Sequence, residues 1–130
     1  MKSYTDLGQS KKLAEILPLE SADMCWTNHC YGSIRSSMTA SVKTIEEYKE
    51  LLTRFADLSG FDVFYPCWSL AALLDVLPEG VVKNYYVPNL QKENGKYSIA
   101  YGNEELLCIA NNPIDCCVKM IIKLNELKML

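Results

Sequence analysis

The apolar positions of this chain fall into two rhythms. Up to residue 78 and again after 112 they recur every three or four residues, the spacing of a helix with one buried stripe. Between 81 and 110 they alternate or cluster among β-branched and aromatic residues, the spacing of strands. In residues 7–17 (LGQSKKLAEIL), Leu13, Ile16 and Leu17 share a stripe opposite Lys11 and Lys12, and Pro18 closes the helix. In 44–58, Ile45, Tyr48, Leu51, Leu52 and Phe55 form a second stripe. Thr44 and Glu47 make a capping box at its start, and Gly60 lies just past its end. The part of 61–78 before Pro66 reads as extended or turn-like, because a residue before proline avoids the helical region. A third helix is expected over 67–77, where Leu70, Leu73, Leu74 and Leu77 mark the main face and Asp75 is the one charge. A helix this apolar is covered nearly all round. Asn112-Pro113 opens the fourth, over 113–128: Asn caps, and Pro at the first helical position gives up no bond. Its stripe is Ile114, Cys117, Val118, Ile121, Leu124 and Leu127.

The middle of the chain predicts an antiparallel meander. The strands are expected in VVKNYYVP (81–88), KYSIAYG (96–102) and LLCIA (106–110). Asn94-Gly95 is a hairpin turn, because both residues tolerate positive φ, and Gly102-Asn103 is a second. Tyr97, Ile99 and Tyr101 alternate onto one face. Pro88 blunts the first strand as an edge. Two segments read as connections: residues 19–32, with Ser21 or Asp23 capping a short helical turn, and the Ser/Thr-rich 32–43, expected as a mobile loop. The expected fold is α+β: a three-stranded antiparallel meander packed by helices, mainly 67–77 and 113–128, in a single domain with extra N-terminal helices. Residues 1–60 form the helical N-terminal part and 61–130 the helix–meander–helix unit.

Composition narrows the function classes. The chain has 130 residues, 49% hydrophobic and 22% charged, with a net charge of −3. An acidic balance offers little counter-charge to phosphates, so nucleic acid is an unlikely partner. No apolar run approaches the ~18 residues of a membrane span, and no h-region follows Met1, so a cytoplasmic protein without a signal peptide is expected. The six cysteines lie inside apolar segments and read as reduced, buried thiols. No glycine-rich phosphate cradle or dinucleotide fingerprint is present, and no cofactor is expected.

Certain residues invite chemistry, each beside a plainer reading. Cys67, expected at a helix N-terminus before Trp68, would have a lowered pKa and act as a nucleophile, with His29, the one histidine, as its base. The plainer reading, an interior thiol and ring, weighs more. Cys25, His29 and Cys30 lack the paired spacing of a zinc site, so no metal is expected. Asp57, Asp62, Asp75 and Glu79 flank helix ends, where solvated faces account for them. Tyr97 and Tyr101 would stack bases if exposed, supported by Lys83, Lys92 and Lys96, or else pack under a helix. Trp26, Tyr31, Tyr85 and Tyr86 are the candidates for contact with a protein partner, since aromatic residues are enriched in interface cores.

YTDLGQSKKLAEILPLESADM (4–24), PCWSLAALLDVLP (66–78) and NPIDCCVKMIIKLNELKML (112–130) resemble a family of small proteins from gut-bacterial genomes, phage or prophage encoded, with no assigned activity. The order of helix, meander and Asn-Pro-capped helix is also similar to the phage ABA sandwich domain. The resemblance implies a short sheet covered by helices and a mobile-element origin, and transfers no catalytic residue. The leading expectation is a non-enzymatic accessory protein that binds a host or phage protein. The alternative is a cysteine-dependent hydrolase or transferase using Cys67, and the third is a weak single-strand binder.

Overall fold

The computed structural model describes residues 2–27, 30–31, 34–35, 39–42, 64–79, 88–102 and 106–130. The fold is α+β, and backbone contacts gather it into two compact units. One comprises Asp6–Ser69, the other Met1–Thr5 with Leu70–Leu130.

In the first unit, Asp6 opens helix α1 (Leu7–Ala14). Its carboxylate accepts from the Gln9 N–H at 2.7 Å, while the Gln9 side chain accepts from the Asp6 N–H at 3.1 Å. That reciprocal pair satisfies two amides that the helix itself leaves without partners. The helix ends three residues before the expected stop at Leu17. Glu15 is its C-cap, and the chain then turns through Ile16 and Leu17 to a single 3₁₀ turn, Leu19–Ser21. This turn is the helical turn expected near Ser21, but Pro18 stands at its N-cap with no side-chain bond. Ser21 instead closes it, donating Oγ–H to the Pro18 carbonyl at 2.6 Å.

The sheet that follows was not expected. Strands β1 (Met24–Thr27), β2 (Cys30–Tyr31), β3 (Ile34–Arg35) and β4 (Thr39–Val42) occupy segments read as connections, and β5 (Phe64–Cys67) covers the extended stretch before Pro66 and the expected helix start at Cys67. β1 is central in a three-stranded antiparallel sheet of order β4-β1-β5, and β2 pairs with β3. The expected loop over 32–43 is corrected where it is described: the backbone of Thr39–Val42 pairs with β1, Cys25 lying opposite Ser41 and Trp26 opposite Ala40. Thr and Val favour a pleated surface as readily as a loop. The expected helix over 44–58 lies outside the described residues.

In the second unit, helix α2 runs Leu70–Val76, shorter than the expected 67–77. Cys67 belongs to β5, in register with Met24, so ladder bonds hold it extended. Strands β6 (Pro88–Glu93), β7 (Lys96–Tyr101) and β8 (Leu106–Ala110) make the meander in the order β6-β7-β8. Of the expected first strand, 81–88, only Pro88 is described, and it begins β6. Asn94 and Gly95, at φ 52° and 75°, make a two-residue turn that pairs Glu93 with Lys96 and Pro88 with Tyr101. Turn length fixes register, so the strand is the six residues before the turn. Pro88 stands at its first position, where a missing N–H is tolerated. Residues 81–87 lie outside the described set.

Helix α3 (Pro113–Glu126) follows expectation. The Asn112 side chain accepts from the Asp115 N–H at 2.8 Å, and Pro113 occupies the first turn. Ile114, Cys116, Cys117, Val118, Met120, Ile121 and Leu124 are buried, whereas Leu127, placed on the stripe by its spacing, is exposed. The last turn has already run past the apolar layer. α3 packs on β7 and β8, while the main neighbour of α2 is α3. Cover for the sheet therefore comes from α3, not from both helices equally.

Candidate functional site

β5 sets the surroundings of the most reactive-looking side chain. Cys67 is fully buried, as is Trp68 beside it. The helix begins three residues later, so the thiol stands in a strand and not at a helix N-terminus. The Trp68 indole N–H donates to Ser21 Oγ at 2.9 Å. Next to it, Ser69 donates its backbone N–H to one Asp23 oxygen at 2.9 Å and its hydroxyl to the other. A fully buried indole whose polar edge meets a hydroxyl has the environment of a packing residue. Cys67-Trp68 thus serves as an anchor between the chain ends of β5 and the 3₁₀ turn. His29 lies outside the described residues.

Of the four proposed contact residues, two are described, and they lie in different strands. Trp26 lies in the middle of β1, half-buried, opposite Tyr65. Tyr31 lies in β2 opposite Ile34. Tyr85 and Tyr86 are outside the described residues, as are Asp57, Asp62 and Lys83. Asp75 and Glu79 are exposed, as solvated helix-end carboxylates are.

The second unit holds the more differentiated surface. Residues directly opposite in a ladder share a face. Ile99 faces Cys108 and Leu90, Tyr101 faces Leu106, and Tyr97 faces Ala110. Ile99 and Tyr101 are buried, so this is the face under α3. The Tyr101 hydroxyl donates to the Pro78 carbonyl at 2.8 Å. Burial, and to a lesser extent the neighbouring Cys117, pushes its pKa up. Tyr101 is thereby removed from base stacking, and Tyr97 is half-buried with the Lys92 ammonium 5.6 Å from its ring centre. The opposite face carries Asn89, Gln91, Ser98, Ala100, Leu107 and Ile109. It holds no ionisable side chain until Glu93 and Lys96 meet at the turn. Ile109 is 50% exposed there. The alternation of KYSIAY places Ser98 and Ala100 on this face, but nothing in the sequence assigns Leu107 and Ile109 to it, because they sit in a strand that is apolar on both sides.

Under α3 lies a group of thiols. Cys116 and Cys117 are fully buried, Cys108 is half-buried, and all three are free. Burial raises the Cys116 thiol to about 11, with Cys108 adding to the shift, and raises Cys117 to about 12, with Cys116 adding to it. Burial also raises Cys108, against the lowering effect of Lys123 and Lys119. Desolvation disfavours a thiolate, so these groups are neutral at pH 7. Among the described residues no three His, Cys, Asp or Glu side chains stand together so as to hold a metal ion, and no helix is long and apolar enough to cross a membrane.

No protein-family model, curated protein or solved structure matches the chain.

Proposed function

We propose that this protein is a non-enzymatic interaction protein, of phage or mobile-element origin, that works by binding another protein of the host or the phage. The observation that carries this reading is the unlike character of the two faces of the β6-β7-β8 sheet. One face takes Ile99 and Tyr101 into the core beneath α3. The other leaves Ile109 half-exposed beside Leu107 and Ala100, framed by the neutral Asn89, Gln91 and Ser98. A neutral, partly apolar, flat face gives a polyanion no counter-charge and suits the apolar patch of a folded protein. The burial of Cys67 away from any helix start supports a role without thiol catalysis.

The test is a photo-crosslinking amino acid placed at position 109 and, separately, at the exposed Asn125 of α3. Each variant is exposed to lysates of phage-infected and uninfected bacteria. A single defined protein adduct formed at 109 and absent at 125 is the expected result, and its presence in one or both lysates assigns the partner to phage or host. Absence of any adduct at 109, or the same adducts at both positions, overturns the reading.

A further inference from the structure

We propose that Cys108 and Cys116 are a dithiol pair that closes into a disulfide between β8 and α3, with Cys108 as the entry thiol and Cys116 as the resolving one. The register supplies the geometry. Cys108 lies opposite Ile99, whose side chain is buried under α3, so the Cys108 side chain projects to the same side. Cys116, in the first turns of α3, comes down onto it. Its Sγ–H is 3.2 Å from the Cys108 carbonyl and 3.5 Å from that of Tyr97. The Cys116 sulfur thus meets the backbone of Cys108 itself, on the face to which the Cys108 side chain projects. Ionising either thiol opposes ionising the other, as expected of neighbours. Cys117 is excluded as the partner. It is one residue further round the helix, so its side chain points about 100° away, and it lies near Tyr101 instead.

Access decides the order of events. Cys108 is half-buried while Cys116 is fully buried, so a small aliphatic disulfide reaches Cys108 first. The Lys119 and Lys123 ammoniums near Cys108 favour its thiolate against the cost of burial. The Cys108 thiol gives up its proton, and its sulfur attacks one sulfur of the small disulfide. That S–S bond breaks, a mixed disulfide forms, and one small thiol leaves. The Cys116 thiol then loses its proton and attacks the Cys108 sulfur, expelling the second small thiol. Two protein thiols are oxidised by two electrons, the small disulfide is reduced by two, and two protons pass to the two thiols released. Lys119 also donates to the Ile109 carbonyl at 3.1 Å, so α3 is already tied beside Cys108 before the covalent bond forms.

The experiment incubates the reduced full-length protein with oxidised glutathione at pH 8.5, blocks remaining thiols by alkylation, and maps digested peptides by mass. The expected product links the Cys108 peptide to the Cys116 peptide, two hydrogen masses below their sum, with little lasting glutathione adduct. Cys116→Ser leaves glutathione on Cys108, raising the persistent adduct on the order of tenfold, because resolution is lost. Cys108→Ser, at a half-buried position, abolishes the link and leaves Cys116 unmodified. A persistent Cys108 adduct in the wild-type protein, an unmodified Cys108, or a bridge between other cysteines overturns the proposal. Since the wild-type map alone decides the matter, a variant that fails to fold does not shield it.

Discussion

The two units are held by different means. In Asp6–Ser69, the central strand β1 pairs with a strand about fifteen residues on and another about forty residues on (Trp26 with Ala40 and with Tyr65), and side-chain hydrogen bonds tie the ends. Trp68 reaches back to Ser21, and Ser69 to Asp23. The Lys11 ammonium lies 5.0 Å from the Tyr65 ring centre, joining α1 to β5. In Leu70–Leu130, neighbouring strands are joined by a two-residue turn and a short link, and a single long helix lays seven buried residues, Ile114 through Leu124, over them. Among the described residues, the first unit joins distant segments by polar and aromatic contacts. The second depends on apolar burial between segments that follow one another. Local contacts form with little loop-closure cost, whereas distant ones must meet that cost before they stabilise anything.

The sharpest way to break this contrast is to delete one core residue from each unit. Trp68→Ala removes the largest fully buried side chain together with the indole bond to Ser21, for a loss of about 3–5 kcal/mol. Leu124→Ala removes a fully buried residue of α3, for about 2–5 kcal/mol. Urea unfolding gives the sizes, and amide exchange gives the place. Trp68→Ala is expected to lower protection first in β1 and β5, and Leu124→Ala first in β7, β8 and α3. Equal loss in both regions for both variants would erase the distinction.

Alkaline pH acts on the second unit through its thiols. Folding raises Cys116 from the ordinary 9.0 to about 11 and Cys117 to about 12, chiefly by burial. Above pH 9 the unfolded chain therefore releases protons that the folded chain still holds. Stability that is complete below pH 9 is lost as pH climbs from 9 towards 12. Unfolding midpoints in urea should fall between pH 8.5 and 10.5, and Cys117→Ala should flatten that fall while leaving a baseline cost at pH 7.5. An unchanged slope in the variant would mean that Cys117 is not one of the titrating groups.

The same contrast explains what could be read from the chain. α3, the Asn94-Gly95 turn and the face of Tyr97, Ile99 and Tyr101 were legible, because each signal and its structural partner lie within a few residues. Asn112 caps three residues ahead, and the turn pairs the residues on either side of it. The β4-β1-β5 sheet was not, because MCWT, TASV and FYPC are four-residue strands with no alternation long enough to register, and what makes them strands is each other. The start of α2 failed for the same reason. Cys67 and Trp68 suit a helix by their neighbours to the right and a strand by Met24, forty-three positions earlier. The candidate site was half legible. Burial of Cys25, Cys67, Cys116 and Cys117 followed from their apolar surroundings, but the facing of Cys108 and Cys116 needed the register of β8 and the packing of α3. The exposed side of the sheet was marked in β7 by Ser98 and Ala100 but not in β8, since LLCIA is apolar at every position.

The smallest expected effects come from the caps, and they test whether the two helices depend equally on their first turns. Asp6→Ala breaks a reciprocal pair in which both partners are exposed, and Asn112→Ala breaks a part-buried one. Each cap is worth roughly 1 kcal/mol. Asn112 has a second function: its amide donates to Asp115 Oδ2 at 2.8 Å, while Lys2 Nζ lies 2.8 Å from Oδ1 of the same carboxylate. Removing Asn112 leaves that carboxylate with one fewer donor at the positive end of α3, so the Lys2 contact carries more of its charge and becomes more sensitive to salt. Asn112→Ala should therefore cost about 0.5–2 kcal/mol, and more in 0.5 M salt than in 0.05 M. Asp6→Asn, which keeps an accepting oxygen, should recover most of what Asp6→Ala loses at either ionic strength. If Asn112→Ala shows no salt dependence beyond that of the wild type, the Lys2–Asp115 pair contributes nothing to α3, and the helix is held by its buried stripe alone.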